Sequence, residues 1–293
     1  MASPSWASTH TSSAPLALVP RATWQGVRMS DAVGPSESPV LVEVRGHVAV
    51  ITLNRPDRLN AITSQMGAAY ARALRDADAD PEIRVAVVTG SGRGFCSGAD
   101  LSVLAQGPEA LDGFVSETAW EDLPTGALEV SIPVVMAVNG PAAGLGFVIA
   151  LTGDICLASP TARFISAFSR LGLVAEYGVA WLLPRMIGRQ RAAEILLSGR
   201  SVDAAEAERI GLVQGVHDDV LEAALDWATD VATNCSPHSL ATMKRQLTQA
   251  DHADLHHSIE QSLRLMRESF RGADLAEALV AKAAGRPPEF GPA

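Results

Sequence analysis

The sequence predicts one α/β domain followed by an all-helical C-terminal third. Two observations lead to this prediction. In the first half, strand patterns rich in β-branched residues alternate with helical patterns, so that a hairpin or strand is twice followed by a helix. Beyond Gly172 the apolar residues recur at helical spacing. With 293 residues, of which 47% are hydrophobic, the chain can bury a substantial core.

The strands and helices of the first half are predicted from Val40 onwards. Residues 40–44 and 47–53 are β-branched runs separated by an Arg-Gly turn, which predicts a hairpin. Residues 63–79 have helical periodicity, with Thr63 or Asn60 as the capping residue. Further strands are expected at 85–88, 134–138, 154–159 and 163–166.

The last third of the chain is predicted to be helical. Helices are expected at 178–185, 189–197, 202–210, 220–234, 236–250, 255–270 and 274–284. The proline-rich tail 286–293 is expected to be extended. His252, His256 and His257 have a spacing that could suit a metal, but no carboxylate or cysteine pattern accompanies them. A solvated helix face is the simpler interpretation.

The N-terminal residues 1–39 are predicted to be a disordered extension. They are rich in Ser, Ala, Pro and Thr and have no apolar period. Their one apolar run, at 14–20, is too short and too interrupted by proline for a signal peptide. Met29-Ser30 resembles an ordinary chain start, a hypothesis that an intact-mass measurement tests.

Charge and cysteine usage exclude several classes of function. The formal net charge of −10 argues against nucleic acid or an anionic membrane as the main partner. No apolar run approaches the roughly 20 residues of a membrane span. Cys96, Cys156 and Cys235 lie far apart without metal-ligand spacing, so a reduced, cytoplasmic setting is expected.

A glycine-rich turn is the first candidate site. The apolar strand at 134–138 leads into Gly144-Leu145-Gly146 and then into an apolar helix that ends near Leu151. The start of such a helix leaves unpaired backbone N–H groups that suit an anion or a developing oxyanion. The alternative is a tight turn in which glycine serves only backbone freedom.

Five segments in this order resemble the crotonase superfamily, also called the enoyl-CoA hydratase/isomerase family. They are LNRPDRLNAI at 53–62, GRGFCSGADL at 92–101, PVVMAVNGPAAGLG at 133–146, GDICLAS at 153–159 and EYGVAWLLPRMIG at 176–188. The resemblance covers residues 40–288. It implies a spiral core of ββα turns at 40–200 and a helical region at 201–293 that drives formation of a homotrimer or a hexamer of two trimers.

The resemblance also implies acyl-coenzyme A thioesters as substrates, with no cofactor or metal beyond the coenzyme A of the substrate itself. Carried over by motif, the backbone N–H groups of Ala99 and Leu145 form an oxyanion hole. The residues expected along the coenzyme A tunnel are Arg58, Leu59, Ser97, Gly98, Asp100, Leu101 and Gly144. For Asp100, a helix N-cap before Leu101 is an equally good interpretation.

Two positions argue against hydration. A hydratase of this family uses two glutamates, and the positions that match them here hold Val148 and Phe168. Adding water to a double bond requires a group that activates the water and a group that protonates the neighbouring carbon. Apolar side chains can do neither, and these two are expected to line an acyl pocket together with Tyr177 and Trp181.

Glu176 is the predicted catalytic residue. It precedes a predicted helix, in a place similar to the glutamate of peroxisomal-type Δ3,Δ2-enoyl-CoA isomerases, and moving a double bond needs only one carboxylate. Apolar neighbours should raise the pKa of Glu176, whereas the helix start should lower it. The alternative is a surface glutamate that only caps this helix.

Other functions stay open from the sequence. Glu117, Glu121 or Asp122 could supply a second acid and restore a hydratase, lyase or hydrolase reaction. A non-catalytic acyl-CoA-binding protein is a third possibility, against which the intact oxyanion segments and Glu176 argue. Acyl chain length and trimer versus hexamer cannot be read from the residues.

Overall fold

A computed structural model describes residues 38–100, 102, 105, 107, 123–250 and 253–292. Several predictions fall outside these ranges. They concern the extension at 1–37, the ligand contact of Leu101, the accessory acids Glu117, Glu121 and Asp122, and the histidine at position 252.

Nine strands form two sheets in the described part of the chain. They are β1 (Val40–Arg45), β2 (Val48–Leu53), β3 (Val85–Gly90), β4 (Val134–Val138), β5 (Pro141–Ala143), β6 (Ile155–Ala158), β7 (Arg163–Ile165), β8 (Ser201–Asp203) and β9 (Gly215–Val216). The larger sheet has the order β1-β2-β3-β4-β6-β9, and the smaller has the order β5-β7-β8. Only β1–β2 and β7–β8 are antiparallel pairs.

Nine helices lie between and after these strands in the described part of the chain, and the first three complete ββα units. They are α1 (Ser64–Ala79), α2 (Leu145–Leu151), α3 (Val179–Ile187), α4 (Arg189–Ser198), α5 (Ala204–Ile210), α6 (Val220–Asn234), α7 (Pro237–Ala250), α8 (Leu255–Ser269) and α9 (Ala273–Ala284). The chain runs β1-β2-α1, later β4-β5-α2 and then β6-β7-α3. The last two units each place one strand in either sheet, so the chain winds between the two sheets.

Two apolar cores lie on the two faces of the larger sheet. Because side chains alternate across a strand, Val134 and Met136 of β4 enter one core and Val135 enters the other. The first core fills the space between the sheets and α1, α2 and α3. The second lies against α6, which contributes residues such as Ala224 and Ala228. Burial on both faces explains why these strands are almost continuously apolar.

The C-terminal helices are attached to the core by buried polar contacts. Lys244 of α7 donates to the carbonyl oxygens of Ala127 (3.0 Å) and Ile132 (2.9 Å) and pairs with Asp154 at 2.8 Å. Burial lowers the pKa of Lys244, and Asp154 opposes this shift. The C-terminal tail is held in the same way, since Arg84, just before β3, donates to the carbonyl oxygen of Phe290 at 2.7 Å.

The predicted hairpin, the helix at 63–79 and the predicted strands of the larger sheet, β1 to β4 and β6, are confirmed within one or two residues. Thr63, and not Asn60, caps α1 by accepting from the N–H of Met66 at 3.2 Å. The all-helical prediction beyond Gly172 is wrong at two places, because β8 and β9 join the sheets there. The helix predicted from Val202 begins at Ala204, and Val202 lies in β8.

Candidate active site

Three turns meet at one edge of the larger sheet. They follow the carboxyl ends of β2, β3 and β4, which are adjacent and parallel, and they span residues 54–63, 91–99 and 139–144. In open parallel sheets this edge is where ligands bind. All the residues predicted for the oxyanion hole lie on these turns or at the start of α2.

The first donor segment, residues 96–99, is held along the turn after β2. The N–H of Ile62 donates to the carbonyl oxygen of Gly98 at 2.7 Å, and the N–H of Asp100 donates to the carbonyl oxygen of Ile62 at 2.9 Å. These two bonds make a parallel bridge between Ile62 and Ala99. Because peptide groups alternate in direction along an extended chain, the N–H of Ala99 points away from Ile62.

The second donor segment, residues 140–145, crosses the first at close range. The N–H groups of Phe95 and Cys96 both donate to the carbonyl oxygen of Pro141 at 3.1 Å, and the N–H of Ala143 donates to the carbonyl oxygen of Cys96 at 2.9 Å. Gly144 has φ +51°, and the helix begins at the buried Leu145. The two segments therefore form one backbone unit.

Gly98 shows how close the two segments are. It has φ +100°, and a Cβ added there would lie 2.8 Å from the carbonyl oxygen of Ala143 and 3.5 Å from the amide nitrogen of Leu145. Gly146 is equally confined, since a Cβ there would overlap the carbonyl oxygen of Cys96. Glycine is required at both positions because backbone occupies the place of a side chain.

The amides of Ala99 and Leu145 both belong to this unit. Within the described ranges neither N–H donates to a backbone oxygen. Two fixed N–H groups can hold an oxygen that becomes negative during a reaction, and one such donor is worth roughly 3 kcal/mol in the transition state. The oxyanion role of these two amides stays a prediction.

Two asparagines hold the turn after β3, whereas the sequence predicted no such role for Asn139 and only a possible helix cap for Asn60. Asn139 accepts from the N–H of Gly90 at 3.1 Å and donates to the carbonyl oxygens of Gly90 (2.8 Å) and Gly92 (3.0 Å). Asn60 is fully buried and donates to the same turn. In the sequence Asn139 is followed by a glycine and Asn60 ends a turn-like segment, and neither pattern reveals which distant carbonyl groups the amide meets.

Asp100 is occupied by protein partners. Its Oδ2 pairs with Arg55 at 2.9 Å, and its Oδ1 accepts from the N–H (3.0 Å) and the hydroxyl (2.7 Å) of Ser102. The hydrogen bonds from Ser102, followed by that from Arg55, lower the pKa of Asp100 to about 2. This arrangement supports the capping interpretation, whereas contact of Asp100 with coenzyme A stays a prediction.

The remaining predicted coenzyme A contacts cluster beside the first donor segment. The Ser97 hydroxyl donates to the carbonyl oxygen of Arg58 at 3.2 Å, and the Ser97 N–H donates to that of Leu59 at 2.9 Å. Leu59 has φ +48°, and the side chain of Arg58 is exposed. The structure brings these residues together with Gly98 and Gly144 at one surface.

Glu176 lies in the carboxylate segment, residues 172–178, which leads into α3. Its side chain is half-buried, and burial raises its pKa from the ordinary value of 4.5. Among the described residues its carboxylate has neither a hydrogen bond nor an ion pair. The N-cap residue of α3 is Gly178, and no side chain makes a capping hydrogen bond at this end of the helix. Glu176 therefore does not cap α3 with its side chain.

The four predicted acyl-pocket residues differ in burial. Val148 and Phe168 are buried in the first core, between the sheets and helices. Tyr177 is half-buried against that core and has φ +47°. Trp181 is stacked under the guanidinium of Arg185, which lies 3.7 Å from the ring centre. Whether these side chains surround an acyl chain stays a prediction.

Metal-binding clusters and membrane-spanning helices are absent from the described ranges. These ranges contain no group of three or more His, Cys, Asp or Glu side chains arranged to hold a metal ion. They also contain no helix that is long and apolar enough to cross a membrane.

Comparison with known proteins shows which class of fold this chain has. The sequence profile described as Enoyl-CoA hydratase/isomerase matches residues 43–292. An enoyl-CoA hydratase from Bacillus anthracis has a similar structure, with a TM-score of 0.82 and 28% identity over 86% of this chain and 99% of that chain. A probable enoyl-CoA hydratase/isomerase from Mycobacterium abscessus gives a TM-score of 0.78 and 33% identity over 87% and 99%. The protein thus has the crotonase fold.

Sequence relatives give the family. The 1,2-epoxyphenylacetyl-CoA isomerase of Escherichia coli is 37% identical over 86% of this chain and 97% of its own length. A probable enoyl-CoA hydratase of Mycobacterium tuberculosis is 41% identical over 66% of this chain and 75% of its own length. The chain belongs to the enoyl-CoA hydratase/isomerase family. The predicted superfamily and fold class are confirmed.

Proposed function

We propose that this protein is a Δ3,Δ2-enoyl-CoA isomerase in which Glu176 moves one proton while the amides of Ala99 and Leu145 hold the thioester oxygen. The observation that supports this most is the half-buried Glu176 carboxylate, whose pKa is raised by burial. A base with a raised pKa is better matched to a weakly acidic carbon than an exposed glutamate is.

The proposed reaction needs no group beyond these three. The Glu176 carboxylate takes a proton from C2 of a 3-enoyl-CoA, and the electron pair spreads over C4, C2 and the thioester oxygen as a dienolate. The amides of Ala99 and Leu145 stabilise the negative oxygen. The carboxylic acid of Glu176 then returns the proton to C4, which leaves a double bond between C2 and C3.

Hydration is the second candidate, supported by the names of several relatives. It would need a second group to activate water, and Val148 and Phe168, which match the hydratase glutamates, are buried among apolar side chains. A hydratase would therefore have to recruit a carboxylate from Glu117, Glu121 or Asp122. A lyase or hydrolase would have the same need.

Conversion of Glu176 to glutamine tests the proposal. Glu176→Gln should lower kcat on a 3-enoyl-CoA roughly a thousandfold, since general acid–base catalysis contributes about that much. Binding of an acyl-CoA should be unchanged, because the amides do not depend on the carboxylate. Glu208→Gln, which makes the same change on the exposed face of α5, is the matched control and should keep full activity. Unchanged turnover in Glu176→Gln would refute the role.

The type of reaction does not determine which acyl group the CoA thioester substrate carries. The relative from Escherichia coli is named for an aromatic CoA thioester. We therefore propose that aromatic as well as linear acyl groups be compared as substrates. A panel of 3-enoyl-CoA thioesters of increasing length, with an arylacetyl-CoA epoxide beside them, would rank the two classes by kcat/KM. The absence of any conversion across this panel would favour a non-catalytic acyl-CoA-binding protein.

The coenzyme A surface is proposed to run along Arg58, Leu59, Ser97, Gly98, Asp100, Leu101 and Gly144. Arg58 is the member whose exposed cation best suits the phosphates of coenzyme A. Arg58→Ala should raise KM about tenfold with little change in kcat, because the lost contact is the same in the ground and transition states. An unchanged KM would remove Arg58 from the tunnel.

Self-association is proposed from an exposed apolar stripe. On α8, Leu255, Ile259, Leu263 and Met266 share one face and all are exposed in the isolated chain. A contiguous stripe of this kind is buried in a partner, here a second and third copy of the chain. Leu263→Glu should shift the molar mass by light scattering from trimer or hexamer toward monomer. His257→Glu, placed on the opposite face, should not.

A further inference from the structure

We propose that Asn60 is a positioning residue whose side-chain amide fixes the turn after β3 and thereby aims the N–H of Ala99 at the thioester oxygen. The inference rests on the proposed oxyanion role of Ala99. Asn60 itself touches no substrate in this account. It acts entirely through the backbone that it holds.

The hydrogen bonds of Asn60 join two distant parts of the chain. Its Nδ2 donates to the carbonyl oxygens of Ser91 (3.0 Å), Gly94 (2.9 Å) and Phe95 (3.1 Å). Its Oδ1 accepts from the N–H of Arg55 at 2.8 Å. The residue is fully buried, so these bonds are made without competition from water. One side chain thus binds the backbone carbonyl groups of three residues in the turn after β3.

The position of Asn60 in the turn makes the coupling direct. The carbonyl oxygen of Leu59 accepts from the N–H of Ser97 at 2.9 Å. Two residues beyond Asn60, the backbone of Ile62 is hydrogen-bonded to Gly98 and Asp100, the residues on either side of Ala99. The amide of Asn60 binds the residues that enter the first donor segment, while its backbone neighbours bind that segment itself. A shift of the turn around Asn60 would therefore move Ala99.

The backbone conformation explains why asparagine suits this position. Asn60 has φ +56°, in the left-handed region, which asparagine tolerates better than other residues with a Cβ. Glycine would accept the same conformation without the amide. Aspartate would keep the size and the left-handed tolerance but would turn an acceptor toward three carbonyl oxygens. These two substitutions separate the backbone demand from the donor.

The experiment uses the full chain with Asn60→Gly and Asn60→Asp. Both variants should lower kcat on the substrate that the wild type turns over, by about tenfold to a hundredfold, because a misaimed oxyanion donor loses part of its transition-state effect. KM should stay within about threefold. If Asn60 served only packing and φ, Asn60→Asp would behave like the wild type, which would overturn the proposal.

A spectroscopic measurement keeps this result separate from the proposed function. Butyryl-CoA that is isotope-labelled at the thioester carbonyl should show a lower C=O stretching frequency when bound to the wild type, and the band should move back toward its solution value in both variants. A shifted band in the wild type without turnover would refute the isomerase and leave the positioning role testable by this band alone. A band that is equal in all three proteins would overturn the positioning role.

Asp78→Ala is the matched control for lost stability. Asp78 also bonds to several groups of a distant loop, accepting from the N–H of Ser131 at 2.8 Å and of Ile132 at 3.0 Å. It lies near the far end of α1, about 20 Å from Ile62 at 1.5 Å per residue. The control should melt earlier but keep its kcat. If neither Asn60 variant folds, Asn60 is a folding determinant and the positioning role is overturned.

Discussion

The two halves of the candidate site are held in opposite ways. The donor segments, 96–99 and 140–145, are bonded to each other and to Ile62, and the amides of Asn60 and Asn139 hold Gly94 at the entrance to the first segment. In the carboxylate segment, by contrast, residues 174–178 donate no hydrogen bond to the described backbone. Val174 in that segment is 78% exposed, and the glycines at its two ends, Gly172 and Gly178, both have a positive φ.

The difference suggests how one fold serves several reactions. Holding a thioester oxygen depends on two amides placed to within a fraction of an ångström, and a hydrogen-bonded backbone unit provides that accuracy. A carboxylate on a sparsely bonded segment can be replaced or moved with little disturbance of the core. We propose that the donor half provides what the reactions of this family share and that the carboxylate half decides which reaction occurs.

The largest effect is expected from Gly98→Ala. The added Cβ would lie 2.8 Å from the carbonyl oxygen of Ala143 at a φ of +100°, so the two donor segments must separate. We expect kcat to fall at least a hundredfold, as when an oxyanion donor is lost. Steady-state kinetics on a 3-enoyl-CoA would measure the effect, and near-normal kcat would show that the donor half is not rigid.

A pH profile should show a smaller, graded effect. Glu176 must be ionised to accept a proton, and burial raises its pKa above the ordinary value of 4.5. As the pH falls below that raised pKa, kcat/KM should drop about tenfold per pH unit, because only the ionised fraction is active. An acidic limb at or below pH 4.5 would mean that Glu176 is not the essential base, or not desolvated.

Gly172→Ala is the counterpart of Gly98→Ala in the carboxylate half. Gly172 also has a positive φ, of +72°, but a Cβ there would meet no atom within 4 Å. The substitution then causes backbone strain alone, which should lower the free energy of unfolding by about 1 kcal/mol. The kcat of the variant should stay within about fivefold of the wild-type value. A loss as large as that of Gly98→Ala would show that the two halves are equally constrained.

The smallest expected effect is a gain in stability from Glu176→Gln. The raised pKa means that the folded protein binds the Glu176 proton more tightly than the unfolded chain does, so stability is lost as the pH rises through this range. At neutral pH the ionised carboxylate therefore costs stability, and glutamine removes that cost. Thermal melting should give a higher Tm for the variant at pH 7 and nearly equal values near pH 4. A lower Tm at neutral pH would contradict this.

Much of the fold and of the donor half could be predicted from the sequence. Long β-branched runs predict β2, β3 and β4, and the glycines around Leu145 mark a turn that only small residues allow. The strands β5, β8 and β9 have only two or three residues each and leave no periodic signal.

Long-range contacts set the limit for the rest of the site. Asn60 was a candidate cap because it precedes a helical pattern, yet the carbonyl groups that its amide binds lie more than 30 residues further along the chain. The position of Glu176 before a helix was predicted, but the direction of its pKa shift depends on burial by residues distant in sequence. The sequence indicated that apolar neighbours raise this pKa and that the start of α3 lowers it, and only the packing shows which effect is larger.

The most direct test of the account is the product formed by the purified protein from a 3-enoyl-CoA and, separately, from a 2-enoyl-CoA. Chromatography separates the 2-enoyl from the 3-enoyl isomer, and mass spectrometry identifies hydration by the added mass of water. The account predicts conversion of the 3-enoyl-CoA to the 2-enoyl isomer at unchanged mass, lost in Glu176→Gln. Rapid formation of a 3-hydroxyacyl-CoA from the 2-enoyl-CoA, retained in Glu176→Gln, would contradict it.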